Sequence, residues 1–321
     1  MVAKLTDVAE LAGVSPTTVS RVINKKGYLS QKTIDKVHAA MQQLNYKPNN
    51  LARGLQGKSA KLVGLIFPNI SNIFYAELIE HLEVELFKHG YKSIICNSQS
   101  DPHKEQEYLE MLAANQCDGI ISSSHNLGIE DYEKVEAPIV AFDRNLAPNI
   151  PIISSDNFEG GKLAAQTLLK AGCKRIAMIT GYDNSDSPTG LRQLGFNYQL
   201  EKAGIICPVP NDLSLMRREM EIKSIICREN PDGIFVSDDL TAILVMKVAK
   251  SLGLSISKDI KVIGYDGTAF IRNFYPELAT IHQPLEEIAK LCVEVLLKKI
   301  KGEKVNRDYV LPVSLVTGNS I

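Results

Sequence analysis

From Lys61 onward, short and almost wholly apolar runs alternate with longer amphipathic stretches, and this alternation narrows the choice of fold more than any other feature. The runs are LVGLIF (Leu62–Phe67), SIIC (Ser93–Cys96), GIIS (Gly119–Ser122), IVAF (Ile139–Phe142), RIAMIT (Arg175–Thr180), GIFV (Gly233–Val236) and VIGY (Val262–Tyr265). Runs this short with no polar face read as strands buried on both sides, which occur in parallel sheets covered by helices. Helical spacing appears between them over Tyr75–His89, Lys104–Asn115, Gly160–Ala171, Leu191–Lys202, Leu240–Leu252 and Leu285–Lys301. Repeated βα units of this kind make an α/β fold. The series is too long for one open sheet, and CDGII at Cys117–Ile121 is echoed by PDGIF at Pro231–Phe235. Two doubly wound lobes are therefore expected, with ligands between the carboxyl ends of their strands.

The first 60 residues follow another rule. In LTDVAELAGVSPTTVSRVIN (Leu5–Asn24), Val8, Ala9, Leu11 and Ala12 form an apolar stripe at helical spacing, and Gly13 ends that helix in a left-handed turn. Ser15 followed by Pro16 restarts a helix with a hydroxyl cap and a proline at its first position. This second helix turns Val19, Val22 and Ile23 inward and Thr17, Thr18, Ser20 and Arg21 outward. Helix, glycine turn and polar-faced helix make the helix-turn-helix pattern, whose second helix reads the DNA major groove. After the basic loop with Lys25 and Lys26, Ser30 caps a third helix carrying Ile34, Val37, Met41 and Leu44 on one face. Tyr46-Lys47-Pro48 stops it, because the residue before a proline is pushed away from helical angles. Asn49–Lys61, with Gly54 and Gly57, reads as a linker.

Charge follows the same division. Residues 1–61 hold ten Lys/Arg against three Asp/Glu, and the remainder holds 26 against 34. A basic head on an acidic body fits a polyanion-binding module fused to one that binds no polyanion. The six cysteines are scattered without a CxxC pair or a histidine cluster, so free thiols are expected, with no metal site and no cofactor. The N-terminus lacks a basic segment followed by an apolar run, and no stretch is long enough to span a membrane, so a cytoplasmic location is expected. No GxSxG, GxxxxGKS, HExxH or GxGxxG stands in the chain, and an enzyme is not expected. DNSDS (Asp183–Ser187) lacks the glycine and distal glutamate of a calcium loop and reads as a polar loop.

The string LTDVAELAGVSPTTVSRVIN resembles the LacI/GalR family of bacterial transcription regulators almost position for position. The likeness continues through YLSQKTIDKVHAAMQQLNYKPNNLARGL and, more loosely, to the C-terminus. It implies a small all-α helix-turn-helix head over 1–48, a hinge over 49–60, and a periplasmic-binding-protein-like body over 61–321. The body's first lobe would cover about 61–156 and 285–305, and its second about 157–284 and 306–321, with chain crossings near Asp156, Gln283 and Val305. Implied partners are double-stranded operator DNA and a small sugar effector. DNA contacts are expected from Thr6, Ser15, Pro16, Thr17, Thr18, Ser20, Arg21, Asn24, Tyr28 and Asn49, with Leu55 as a minor-groove wedge.

Cleft residues are those that follow strands. Asn69, Asn72, Phe74 and Tyr75 follow the first run, Asp143 and Arg144 follow IVAF, Arg192 lies after RIAMIT, Asp238 follows GIFV and Asp266 follows VIGY. Polyols call for this mixture: carboxylates and amides for hydroxyls, an arginine fork, and an aromatic face. Asn72, Phe74, Tyr75, Asp143, Arg144, Arg192, Asp238 and Asp266 are the expected effector contacts. Asp239 is left out as the expected cap of the helix over Leu240–Leu252. Where family members commonly carry an aromatic-bearing loop, this chain reads NDLSLMRREMEI. Stretches such as FDRNLAPNIP and SSDNFEGGKLAAQTL resemble the branch of the family that controls sucrose use. That implies a repressor released by sucrose, fructose or a phosphorylated derivative. Two other functions compete: a global carbon-catabolite regulator triggered by a phosphocarrier protein, and a sugar-binding protein without a DNA role. No leucine heptad follows Val316, so a homodimer is the simplest assembly.

Overall fold

The computed structural model describes residues 3–24, 26–47, 59–114, 117–124, 126–181, 187–200, 204–210 and 213–321. The chain divides into two compact units, 1–60 and 61–321.

The first unit holds α1 (Leu5–Ala12), α2 (Pro16–Ile23) and α3 (Gln31–Gln43). Gly13 takes φ 66°, and its amide and that of Val14 close the end of α1. Ser15 accepts from the Thr18 amide with Pro16 at the first helical position, and Ser30 accepts from the Thr33 amide. Val8, Ala9, Ala12, Val19, Val22, Val37 and Ala40 form the core. Leu11 does not join it: the side chain is 45% exposed. At about 100° per residue, Val8, Ala9 and Ala12 cluster on one side while Leu11 stands roughly 100° away from their centre.

The second unit is two six-stranded sheets between helices. The first lobe contains β1 (Leu62–Phe67), α4 (Ile73–Lys88), β2 (Lys92–Asn97), α5 (Pro102–Ala114), β3 (Gly119–Ser122), α6 (Ile129–Glu133), β4 (Ile139–Phe142) and β5 (Ile152–Ser155). The second contains α7 (Asn157–Lys170), β6 (Ile176–Thr180), α8 (Pro188–Gln199), β7 (Ile205–Pro208), α9 (Leu215–Glu229), β8 (Gly233–Val236), α10 (Asp239–Ser251), β9 (Lys261–Asp266), α11 (Ala269–Phe274) and β10 (Ala279–His282). Helix α12 (Leu285–Ile300) packs back on α4 of the first lobe, and β11 (Asp308–Leu311) and β12 (Ser314–Val316) follow it. Strand orders are β11-β5-β4-β3-β1-β2 and β12-β10-β9-β8-β6-β7; every pairing is parallel except β10 with β12.

One boundary differs from the sequence reading. Strand β11 pairs with β5 over Asp308↔Ile152 to Leu311↔Ser155, so the last crossing lies between Leu311 and Ser314 and not near Val305, and residues 306–311 belong to the first lobe. The segment DYVL alternates exposed and half-buried residues, as fits an edge strand, and is too short to stand out in the sequence. The helix expected over Leu191–Lys202 begins earlier, at Pro188, where Ser187 caps it by accepting from the Gly190 amide.

Alternation inside buried strands fills both faces of each sheet. Val63, Leu65 and Phe67 face α4 and α12, while Ile66 packs with Leu109 and Leu112 of α5 on the other side. In the second lobe Ile179, Ile234 and Val236 pack toward α9 and α10, and Met178, Phe235 and Tyr265 toward α7 and α8. Each large apolar side chain buried in this way contributes about 1.5–3 kcal/mol. The DG echo has a structural cause. Asp118 accepts from the Leu62 amide at 3.0 Å at the start of β1, and Asp232 accepts from the Lys174 and Arg175 amides at the start of β6. The echo thus marks the same strand-starting clamp in each lobe.

Candidate functional site

Each unit carries one candidate surface. On the head, α2 exposes Pro16, Thr17 and Arg21, and Thr18 and Ser20 are half-buried. The Ser15 hydroxyl caps α2 and meets the Thr18 hydroxyl at 2.9 Å, while the Asn24 amide donates to the Ser20 carbonyl at 2.6 Å. Ser15, Thr18, Ser20 and Asn24 therefore shape the ends of the helix. Thr6 is exposed and donates to Asp7, and the Tyr28 ring is 94% exposed. Arg21 Nε donates to the Lys26 carbonyl at 3.4 Å, and its guanidinium occupies the space a Cβ would take at Gly27, where φ is 73°. The expected contacts at Asn49 and Leu55 lie outside the described residues.

The body holds a cavity of about 380 Å³ between its lobes, and all eight expected effector residues line it. From the first lobe, Asn72 caps α4 through Oδ1, accepting from the Phe74 amide at 2.9 Å, which leaves its NH₂ as a donor. Phe74 and Tyr75 stack edge-on at 5.3 Å, and Phe67 and Phe142 back them at 5.7 and 5.9 Å. This aromatic wall comes from the first lobe. The NDLSLMRREMEI segment supplies no ring and instead brings Arg218 into the cavity.

Asp143 and Asp266 occupy equivalent places at the carboxyl ends of the fourth strand of each lobe in chain order, Asp143 directly after β4 and Asp266 as the last residue of β9. Both have left-handed backbone angles, φ 57° and 113°, sparsely populated for a residue with a side chain. Each carboxyl is held by an amide from a chain crossing. Asn157 Nδ2 donates to Asp143 Oδ1 at 3.3 Å, and Gln283 Nε2 donates to Asp266 Oδ1 at 2.8 Å. Burial pushes the Asp143 carboxyl up to about 6, with the Arg192 and Arg144 charges opposing that rise. Burial also pushes Asp266 well above the usual carboxylate range, against the pull of Arg192.

Arg192 is 7% exposed and largely committed to the protein. Its Nε donates to Asn157 Oδ1 at 2.8 Å, its Nη1 donates to the Ser237 carbonyl at 2.7 Å, and its Cζ lies 3.7 Å from the centre of the Tyr265 ring. Its position depends on two glycines, because a Cβ at Gly161 would overlap the Arg192 carbonyl and one at Gly195 would overlap that of Phe158. Only glycine lets α7 and α8 approach this closely.

Of the two aspartates after β8, the capping role expected of Asp239 falls to Asp238. Asp238 caps α10, accepting from the Thr241 amide at 2.8 Å and the Thr241 hydroxyl at 2.6 Å, while still facing the cavity. Asp239, expected to be the cap, is the first residue of the helix and points into the lobe. There it accepts from the Gly267 amide and the Thr280 hydroxyl, and burial raises its carboxyl to about 7. Moving the cap one residue earlier turns the second carboxyl inward by about 100°.

Sequence reasoning missed Ser123, Thr189, Arg218 and Ser237 on the cavity wall, and Asn157, Tyr265 and Gln283 behind it. Arg218 stands in the segment already marked as unusual. The others carried no signal of their own. Outside the cavity, Glu77 of α4 accepts from the Ala269 amide of the second lobe at 2.7 Å, a further brace between lobes. Among the described residues no group of His, Cys, Asp or Glu is placed to hold a metal ion, and no helix is long and apolar enough to cross a membrane.

Residues 4–49 match the bacterial regulatory proteins of the lacI family, and residues 165–321 match the periplasmic binding protein-like domain. Over all 321 residues the chain is 68% identical to the sucrose operon repressor of Streptococcus mutans serotype c, covering 100% of both. This chain belongs to the lacI family. As a LacI-family member it is a DNA-binding transcription regulator and not an enzyme, with a helix-turn-helix head and a periplasmic-binding-protein-like body. The Lac repressor dimer bound to operator and the anti-inducer ONPF has a TM-score of 0.85 at 28% identity, covering 100% of this chain and 99% of that one. A periplasmic binding protein/LacI regulator from Alkaliphilus metalliredigens, complexed with D-xylulofuranose, has a TM-score of 0.72 at 35% identity. It covers 81% of this LacI-family chain and 99% of its own.

Proposed function

We propose that the chain represses a sucrose-utilisation operon in the cytoplasm as a homodimer and leaves its operator when a sugar of sucrose or fructose type fills the interlobe cavity. The observation that carries this reading is the composition of that cavity: carboxyl groups of Asp143, Asp238 and Asp266, the Asn72 amide, and the Phe74–Tyr75 wall, drawn from both lobes. Hydroxyls donate to the carboxyls and accept from the amide, and a ring face packs on the aromatics. A relative 68% identical over its full length carries the name sucrose operon repressor. A ligand releases DNA only by binding the DNA-incompetent arrangement more tightly than the competent one. A ligand that bridges both lobes is suited to that, since it selects one angle between them.

In the head, Arg21, Thr17 and Pro16 read base edges, Arg21 being the donor suited to guanine. Thr6 and Tyr28 meet the backbone, and Asn49 and Leu55 extend the contact. The experiment is titration of operator-bound protein with sucrose, fructose, their phosphate esters and glucose, read by anisotropy of labelled DNA. Release by a sucrose- or fructose-type sugar at a concentration where glucose does nothing is the expected result. Release only on addition of a phosphocarrier protein would replace this reading with that of a catabolite regulator.

A further inference from the structure

The turn that carries Asp266 into the cavity is held by groups behind the cavity wall. Asp266 has φ 113° and Gly267 φ 57°, so two successive residues stand outside the ordinary right-handed and extended regions. A backbone of this kind persists only where its surroundings over-determine it. The peptide unit between the two residues is planar and rigid, so fixing both of its ends fixes its orientation. Its carbonyl, that of Asp266, accepts from the Gln283 amide at 3.0 Å. Its N–H, that of Gly267, donates to Asp239 Oδ2 at 2.7 Å. The Gly267 carbonyl in turn accepts from His282 Nδ1 at 2.9 Å.

His282 ends β10 in register with Asp266, and Gln283 follows it, so these two hold the turn from the neighbouring strand. Asp239 reaches the same turn from another element, as the first residue of α10. It is 1% exposed, and its second oxygen accepts from the Thr280 hydroxyl at 2.6 Å. A buried carboxyl is costly unless its hydrogen bonds are made. Strand β9 gives up a side chain to admit this one, since a Cβ at Gly264 would overlap Asp239 Oδ1. Asp238 lines the cavity, and Asp239 beside it does not.

We propose that Asp239 is a positioning residue of the effector site: without touching the ligand, it aims the Asp266 carboxyl by holding the Gly267 amide. This rests on the reading of Asp266 as a sugar contact and adds the residue that sets its direction. Adjacent aspartates thus serve one site in two ways. Asp238 faces the ligand space, and Asp239 braces the turn of the next strand. Without the Asp239 oxygens the Gly267 N–H is unpaired, the peptide unit is held at its carbonyl end alone, and Asp266 is free to leave its strained angle.

The test is a double-mutant cycle on the full-length protein, read as the sugar concentration that half-releases labelled operator. The probe is sucrose or fructose, whichever releases the unaltered protein at the lower concentration. Asp239→Ala should raise that midpoint at least about tenfold, the scale of one hydrogen bond to a charged group. Asp239→Asn keeps an oxygen for the Gly267 amide and should stay within about threefold of the unaltered protein. In an Asp266→Ala background, Asp239→Ala should add less than about twofold, because a residue that acts through another then has nothing left to aim. A general loosening of the lobe would weaken the remaining contacts as well, and the two losses would multiply.

Multiplying losses therefore overturn the positioning role, as does an unchanged midpoint in Asp239→Ala. An asparagine variant as weak as the alanine variant overturns it too, because the bond to Gly267 is then not what matters. Loss of operator binding by Asp239→Ala without sugar makes the residue one needed for folding and has the same effect. If Asp266→Ala responds to no sugar concentration, the contrast between Asp239→Ala and Asp239→Asn decides alone. Release of the unaltered protein by neither sugar overturns the sugar reading and this proposal together, whereas a normal response in it confines any failure to Asp239.

Discussion

The Gln283 side chain donates to Asp266 Oδ1 at 2.8 Å, and its oxygen accepts from the Ser155 hydroxyl. The second lobe's cleft carboxyl is thereby bonded, through a crossing residue, to the end of a first-lobe strand. Gln283 is fully buried, so an apolar residue there removes this partner from the Asp266 carboxyl and the Ser155 hydroxyl together. An unpaired buried polar group costs about 1–3 kcal/mol. Gln283→Leu is expected to destabilise the body by about 2–4 kcal/mol in urea unfolding, allowing for two such groups. A loss below about 0.5 kcal/mol would mean that the bridge is not maintained in solution.

Gly161→Ala separates packing from propensity. Alanine in a helix interior ordinarily gains up to about 1 kcal/mol over glycine. Here the added methyl overlaps the Arg192 carbonyl, and α7 and α8 must part. The expected result is the opposite sign, a loss of about 1–3 kcal/mol typical of overpacking. Ligand affinity should fall about tenfold as Arg192 shifts, equivalent to about 1.4 kcal/mol. A melting temperature at or above that of the unaltered protein would contradict the close approach.

Arg21→Ala tests base reading. Loss of about 1–3 kcal/mol per half-site and a flatter preference among operator variants are expected, measured by anisotropy at fixed salt. Arg21 rests on the Lys26 carbonyl and must turn outward to reach a base. Retention of full preference by the variant would reassign it to the loop.

Asp143 predicts a pH dependence of defined sign. Its carboxyl is raised by burial to about 6 in the folded chain, with Arg192 and Arg144 limiting the rise. An unfolded aspartate titrates near about 3.9. The folded state therefore holds a proton that the unfolded state has lost, and this stabilising contribution is present at low pH and disappears as pH rises through about 6. The unfolding free energy of the unaltered protein minus that of Asp143→Asn should fall by on the order of 2–3 kcal/mol between about pH 4 and 7. A flat or rising difference across that window would show that the carboxyl is ionised throughout.

How far the sequence anticipated this molecule varied with the length scale of the interaction. Strands such as Gly119–Ser122 and Gly233–Val236 match their apolar runs residue for residue, because burial on both faces leaves no polar position to blur the edges. Caps at Ser15 and Ser30 were equally plain, since the cap and its target lie three residues apart. The assignment failed where one residue decides the answer between adjacent candidates, as with Asp238 and Asp239. It also failed where the partner is distant in sequence. Gln283 lies 128 positions from Ser155, and Arg192 35 from Asn157, and no local pattern announces either pair. The eight residues that line the cavity were legible because each comes after a strand; Ser123 looks like any surface serine, and Arg218 was passed over in a segment noted only for its missing ring.

The last crossing has a consequence for how the protein is made. Strand β11 completes the edge of the first sheet and β12, three residues later, that of the second, while the Ser320 hydroxyl bonds the Val262 carbonyl and accepts from the Ala279 amide. Neither sheet is closed until these residues have been synthesised. During translation the head, whose core residues all belong to the first unit, has that core available long before, whereas both lobes wait on the same few residues. A ribosome halted before Asp308 would therefore expose a nascent chain with a finished DNA-reading head and two open sheet edges, a species for chaperones and proteases to recognise.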